Sequence, residues 1–155
     1  MKKITLQRLK NIALYYLDRF DASGEKLKSV LMRRIQKAVL AGDEVPSEAT
    51  QWVVEIVRDM KRLGYVNDQR FCENKVRLYL PAGKSNRYIT GKLCEAGLDS
   101  DMIRLYLPDD ELAQARIFVQ KKHLGKDFQK DLAKLARAGF SYDIAQKALQ
   151  EDSNV

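Results

Sequence analysis

Lysines and arginines are the residues of this chain whose spacing points to a chemistry, and that chemistry is anion binding. At about 100° per residue, Lys26, Arg33 and Lys37 fall within about 40° of one another. They lie away from a stripe of Leu27, Leu31 and Ile35. Arg58, Lys61 and Arg62 lie opposite an apolar face of Val53, Ile56, Val57, Met60 and Leu63. Lys126, Lys130, Lys134 and Arg137 form a ridge opposite Phe128, Leu132 and Leu135. A ridge of cations on a rigid helix suits a phosphate track or an acidic protein groove. Basic residues on an exposed helix side also serve plain solvation. Three such stripes in a chain of net charge +7 raise the binding reading above that. Lys84-Ser85-Asn86-Arg87-Tyr88 adds two cations and a tyrosine at a helix start, where contact and capping compete as roles.

Catalytic spacings are missing. His123 is the single histidine, and Cys72 and Cys94 are far apart. No Cys-x-x-Cys, His-Glu-x-x-His or other zinc spacing occurs, so no metal or cofactor is expected and no enzyme. His123 reads as a partly exposed side chain near a helix C-terminus. Gly83-Lys84-Ser85 matches only the last letters of a phosphate loop and reads as a turn with a cap. The acids fall at helix starts, where capping accounts for them. The cysteines read as two reduced, packed thiols. No stretch approaches the roughly 20 apolar residues of a membrane helix, and the charged start lacks a signal-peptide core. The expected location is the cytoplasm.

The elements that carry these residues read as all-α. Among 155 residues there are only three prolines and eight glycines, and alternating strand patterns are missing. One phrase recurs: glycine, an apolar residue, two variable positions, aspartate. Its copies are Gly64–Asp68, Gly97–Asp101 and Gly139–Asp143. Glycine past a helix end closes the helix in the left-handed conformation, and the apolar residue after it packs back. Asn67, Asp99 or Ser141 then caps the next helix. Residues 92–107 and 134–149 align without gaps, sharing Ala96/Ala138, Gly97/Gly139 and Asp101/Asp143 among others. An internal repeat of this kind stacks small helical units.

The first helix is expected from Thr5 to Arg19, with Leu6, Leu9, Ala13, Leu17 and Phe20 inward; Ser23 caps the second and Ser47 the third. Phe71, Lys75, Leu78 and Tyr79 define a fourth, and Ser85 opens a fifth. The reading totals nine helices in three tandem three-helix repeats, 1–64, 65–107 and 108–152, with 153–155 a frayed tail. The repeats form an elongated, slightly curved helical body. The basic excess is concentrated in the first, which carries 13 basic and 8 acidic residues.

The run Leu63-Gly64-Tyr65-Val66-Asn67-Asp68-Gln69-Arg70-Phe71, with Gly83–Ile89 and Leu93–Leu98, resembles the centre of the RecX family. Ala136-Arg137-Ala138-Gly139-Phe140-Ser141-Tyr142-Asp143 is similar to that family's C-terminal motif. Ala13–Phe20, Ser23–Leu27 and Arg33-Arg34 are similar to its first repeat. The first acid usual after the family's Gly-Tyr is Asn67 here. The resemblance implies a bacterial, non-enzymatic regulator that binds the filament of the recombinase RecA. It implies restraint of RecA's ATP hydrolysis, strand exchange and co-protease activity, in DNA repair, recombination and the SOS response. Single- or double-stranded DNA is a second implied partner, and the protein is expected to be a monomer. The alternative is a helical DNA binder acting without RecA; a scaffold for an acidic protein is a third class.

Overall fold

A computed structural model gives the fold and describes residues 3–152. The expected tail at 153–155 lies outside the described residues. Among those described, the secondary structure is nine α-helices and no strand. They are α1 Leu6–Arg19, α2 Gly24–Leu40, α3 Ala49–Arg62, α4 Asp68–Tyr79, α5 Asn86–Glu95, α6 Ser100–Tyr106, α7 Leu112–Lys121, α8 Phe128–Arg137 and α9 Tyr142–Asp152.

Caps set most of the starts. The Ser23, Ser85 and Ser141 hydroxyls accept from the backbone N–H of Lys26, Tyr88 and Ile144 at 3.1, 3.0 and 3.4 Å. The side chains of Asn67 and Asp99 do the same for Arg70 and Asp101. Each bond satisfies a donor that the first turn leaves open. Ser47 does not fill this role for α3. The Ala49 N–H bonds to the Pro46 carbonyl at 3.1 Å, so the chain is already turning at Ser47, and Glu48 precedes the helix without a side-chain cap.

The chain divides into two compact units. The first holds the described residues up to Phe71 together with Ala96–Leu98, and the second holds Cys72–Glu95 and the described residues from Asp99 on. In the first unit, α1, α2 and α3 pack on one another around Leu9, Ala13, Leu27, Leu31, Val53 and Ile56. In the second, α5 packs on α6, and α9 packs on α7 and α8 around Val119, Leu135, Phe140 and Leu149.

Several side chains expected inside are exposed. Phe20 sits just past α1, 57% exposed, with its ring on Tyr16. Leu78 is 62% exposed, and Phe71, Cys72 and Val76 are the buried face of α4 instead. Phe128 is also exposed, and so is Leu63, expected in the buried stripe of α3 but standing just past the helix end. After Gly64 the packed residue is Val66, bonded through its N–H to the Met60 carbonyl, while Tyr65 faces out. Leu98 and Phe140, in the other two copies, are buried as expected. Cys72 is buried, but Cys94 is exposed rather than packed; both are free thiols. Burial, and secondarily the Glu73 charge, push the Cys72 thiol up from its ordinary pKa and keep it protonated.

Candidate partner and nucleic-acid interface

The α2 stripe and the Lys84–Tyr88 segment stand at helices whose N-termini are built alike. At the start of α2, Ser23 accepts from Lys26 and donates its own proton to the Ala96 carbonyl at 2.6 Å. The Gly24 N–H donates to an Asp68 carboxylate oxygen at 2.9 Å, and the other oxygen lies 3.9 Å from Lys61 Nζ. At the start of α5, Ser85 accepts from Tyr88 and donates to the Ala138 carbonyl at 2.7 Å. The Asn86 N–H donates to Glu111 at 2.9 Å. Each serine thus closes one helix start and one helix end, because Ala96 and Ala138 follow α5 and α8. A carboxylate on the open N–H groups complements the positive end of the helix. Gln114, buried, adds bonds to the Lys84 carbonyl and to Asn86 Oδ1 at 2.9 and 2.8 Å.

Eleven of the twelve cations picked out by the sequence are exposed. They are Lys26, Arg33, Lys37, Arg58, Lys61, Arg62, Arg87, Lys126, Lys130, Lys134 and Arg137. Lys84 is half-buried, with Nζ 4.7 Å from the centre of the Tyr88 ring, a cation–π contact. Lys61 stands over Asp68, and Arg62 lies 3.8 Å from Asp59. The other nine make no ion pair among the described residues. Three of the four cations expected on one ridge, Lys130, Lys134 and Arg137, share α8, with Leu132 and Leu135 buried beneath; Lys126 lies just before the Asp127 cap and is not on the helix. Arg87 borders two clefts, one of about 580 Å³ shared with Thr90, Ser100 and Arg104, and one of about 330 Å³ shared with Tyr88 and Arg137.

Sequence reasoning missed Arg8, Arg34 and Arg104. Arg8 and Arg34 line one cleft with Lys37, although they lie on different helices. A helical projection treats each helix alone and cannot show such a meeting; the one signal was the Arg34/Lys37 spacing of three. No cluster of metal-ligating side chains occurs among the described residues. No described helix is long and apolar enough to cross a membrane. His123 is exposed and takes a left-handed φ of 53° just past α7.

No family model matches the chain. It is 33% identical to the Regulatory protein RecX of Myxococcus xanthus over 168 aligned positions, which cover 99% of this chain and 89% of that protein. The Regulatory protein RecX of Legionella pneumophila is 29% identical, over 79% of this chain and 89% of its own length. That of Streptococcus mutans is 27% identical over 92% of this chain and 54% of its own length. The fold is that of a crystal structure of RecX from Lactobacillus salivarius, with a TM-score of 0.69, 20% identity and 97% of each chain covered. One identical residue in three, sustained over nearly the whole chain, is kinship at the level of sequence as well as shape: the chain belongs to the RecX family.

Proposed function

We propose that this protein is a non-enzymatic regulator of the recombinase RecA, binding the RecA–DNA filament and restraining its ATP hydrolysis and its recombinase and co-protease activities. Membership of a family of regulatory proteins carries this reading. The free cations on α2, α3, α5 and α8 support it, since a filament presents both protein and DNA phosphates. The nucleic-acid partner is single- or double-stranded DNA, the protein acts as a monomer, and its place is the cytoplasm. In this reading the chain is three repeats, 1–64, 65–107 and 108–152, joined by the two serine joints.

The test is DNA-dependent ATP hydrolysis by RecA on single-stranded DNA, with this protein titrated below the RecA concentration. Inhibition at far less than one copy per RecA, persisting with free DNA in excess, is the expected result. No inhibition overturns the reading. Changing Lys126, Lys130 and Lys134 together to Glu weakens inhibition and leaves the circular dichroism unchanged; full inhibition by that variant removes the α8 ridge from the interface. A DNA binder acting without RecA is the second reading, favoured by the same cations. Its mark is affinity for naked DNA that falls steeply with salt and accounts for the activity by itself.

A further inference from the structure

We propose that the cleft lined by Arg8, Arg34 and Lys37 is a binding pocket for a phosphate group. The cleft lies within the first unit and encloses about 290 Å³. Ile4 and Ala38 supply an apolar floor, both buried. Arg8 and Arg34 are half-buried, and Lys37 is exposed at the rim.

Helix electrostatics explains only one of the three cations. Lys37 stands in the last turn of α2, where a positive charge is favourable. Arg8 stands in the first turn of α1, where it is unfavourable, and no acid accompanies it there. Its side chain donates to the Lys3 carbonyl at 3.2 Å through one nitrogen, leaving the other donors of the fork for something else. Asp43 is the sole acid on the cleft, and no ion pair links it to any of the three cations. Three like charges gathered around one small cleft repel one another, and the single carboxylate of Asp43 leaves a net excess of positive charge there. An anion offsets it.

The chemistry selects phosphate. Guanidinium groups match its oxygens with paired donors, and a lysine adds a point charge. The volume is at the lower end of ligand pockets, about 300 Å³ and upward, which suits a phosphate or pyrophosphate group. Other clefts gather fewer cations: Arg87 and Arg104 share theirs with Asp109, Arg87 and Arg137 line another in which both are exposed, and the groove of Leu14, Tyr15 and Tyr65 has Asp18 as its charged residue. Lys37 is shared with the α2 stripe assigned to the filament, but Arg8 and Arg34 are not, so variants at these two test the pocket whether or not RecA is the partner.

The probe is inorganic pyrophosphate, titrated calorimetrically into the full chain at low salt. The expected result is saturable one-site binding that weakens roughly tenfold in Arg34→Gln and in Arg8→Gln, the loss for one charge-assisted bond. Arg34→Lys, which keeps the charge without the fork, gives an intermediate affinity. Equal binding by wild type and both glutamine variants, or no saturation, overturns the proposal. Thermal unfolding of the unaltered protein serves where a variant fails to fold: pyrophosphate raises the midpoint and sodium chloride of equal ionic strength does not, whereas equal shifts overturn the proposal. Competition with a fluorescent oligothymidylate identifies the source of the phosphate. Displacement by pyrophosphate places a strand's phosphate in the pocket; simultaneous binding assigns it to a free polyphosphate.

Discussion

At the start of α2 a buried serine joins its helix to Ala96, and at the start of α5 a buried serine joins its helix to Ala138; around these matching bonds the two sites differ. The first is closed by charge. Its carboxylate is Asp68, its backbone donor is Gly24, and the stem of Lys61 fills the space where a side chain on residue 24 would sit. The second also has a carboxylate, Glu111 on the Asn86 N–H, but adds side-chain amides. Asn86 reaches the Pro108 carbonyl at 2.9 Å and accepts from Gln114. The helix ends differ as well. A Cβ on Gly97 would overlap Cβ and Cγ of Glu25, whereas one on Gly139 would stand 2.5 Å from the Ser85 hydroxyl and 3.3 Å from Arg87 Cβ. One chemical core, a serine bridging a helix start and a helix end, is thus kept while its surroundings vary.

Substitutions at matched positions sharpen this comparison, and chemical denaturation is the readout throughout. Gly97→Ala is expected to cost most, about 3 kcal/mol or more. Its φ of +85° is adverse for alanine, and Glu25 Cβ is fixed to its backbone and cannot swing away. Gly139→Ala follows at about 2–3 kcal/mol, because φ is +102° but the nearest obstacle is a hydroxyl that can rotate at the expense of its bond to Ala138. A reversed order would mean that the α2 site opens more readily than its packing implies. Ser23→Ala and Ser85→Ala each remove a cap and a bond to a carbonyl, for about 2 kcal/mol. Unequal losses at the two serines, by more than about 1 kcal/mol, would break the equivalence of the joints. Asp68→Asn and Glu111→Gln keep shape and lose charge at a helix start, for about 0.5–1 kcal/mol. Least of all is Lys61→Met, within about 0.5 kcal/mol, since the pair with Asp68 is long and half in water.

Much of this fold is legible in the residues because caps are local. Ser23, Asn67, Ser85, Asp99 and Ser141 each announce a helix within three positions, and each bonds as its type predicts. Ser47 misleads because Pro46 sets the turn that delivers the chain into α3. Phe20, Leu78 and Phe128 mislead for a different reason. Periodicity gives the direction of a side chain but not whether another helix lies in that direction. The candidate interface divides the same way. Stripes on a single helix, such as Lys26, Arg33 and Lys37 on α2, can be read from spacing alone, whereas Lys126 falls outside α8 because Asp127 caps that helix after it. The meeting of Arg8 with Arg34 depends on how α1 packs beside α2, and no spacing encodes it. The second partners of Ser23 and Ser85 are also invisible locally, although the shared Ala-Gly pairs at 96–97 and 138–139 mark where they lie.

The bond from Ser23 to Ala96 spans 73 positions. On a ribosome adding about 5–20 residues per second, its acceptor is made roughly 4–15 seconds after the serine. Helix formation is complete within microseconds, so α2 waits through that interval with its hydroxyl proton uncommitted. The first unit therefore cannot finish until a segment made within the span of the second, Ala96–Leu98, has emerged. Ser85 waits a shorter time, across 53 positions. From Ser23 until Ala138 is made, the nascent chain thus carries at least one open serine, which a later stretch of sequence closes.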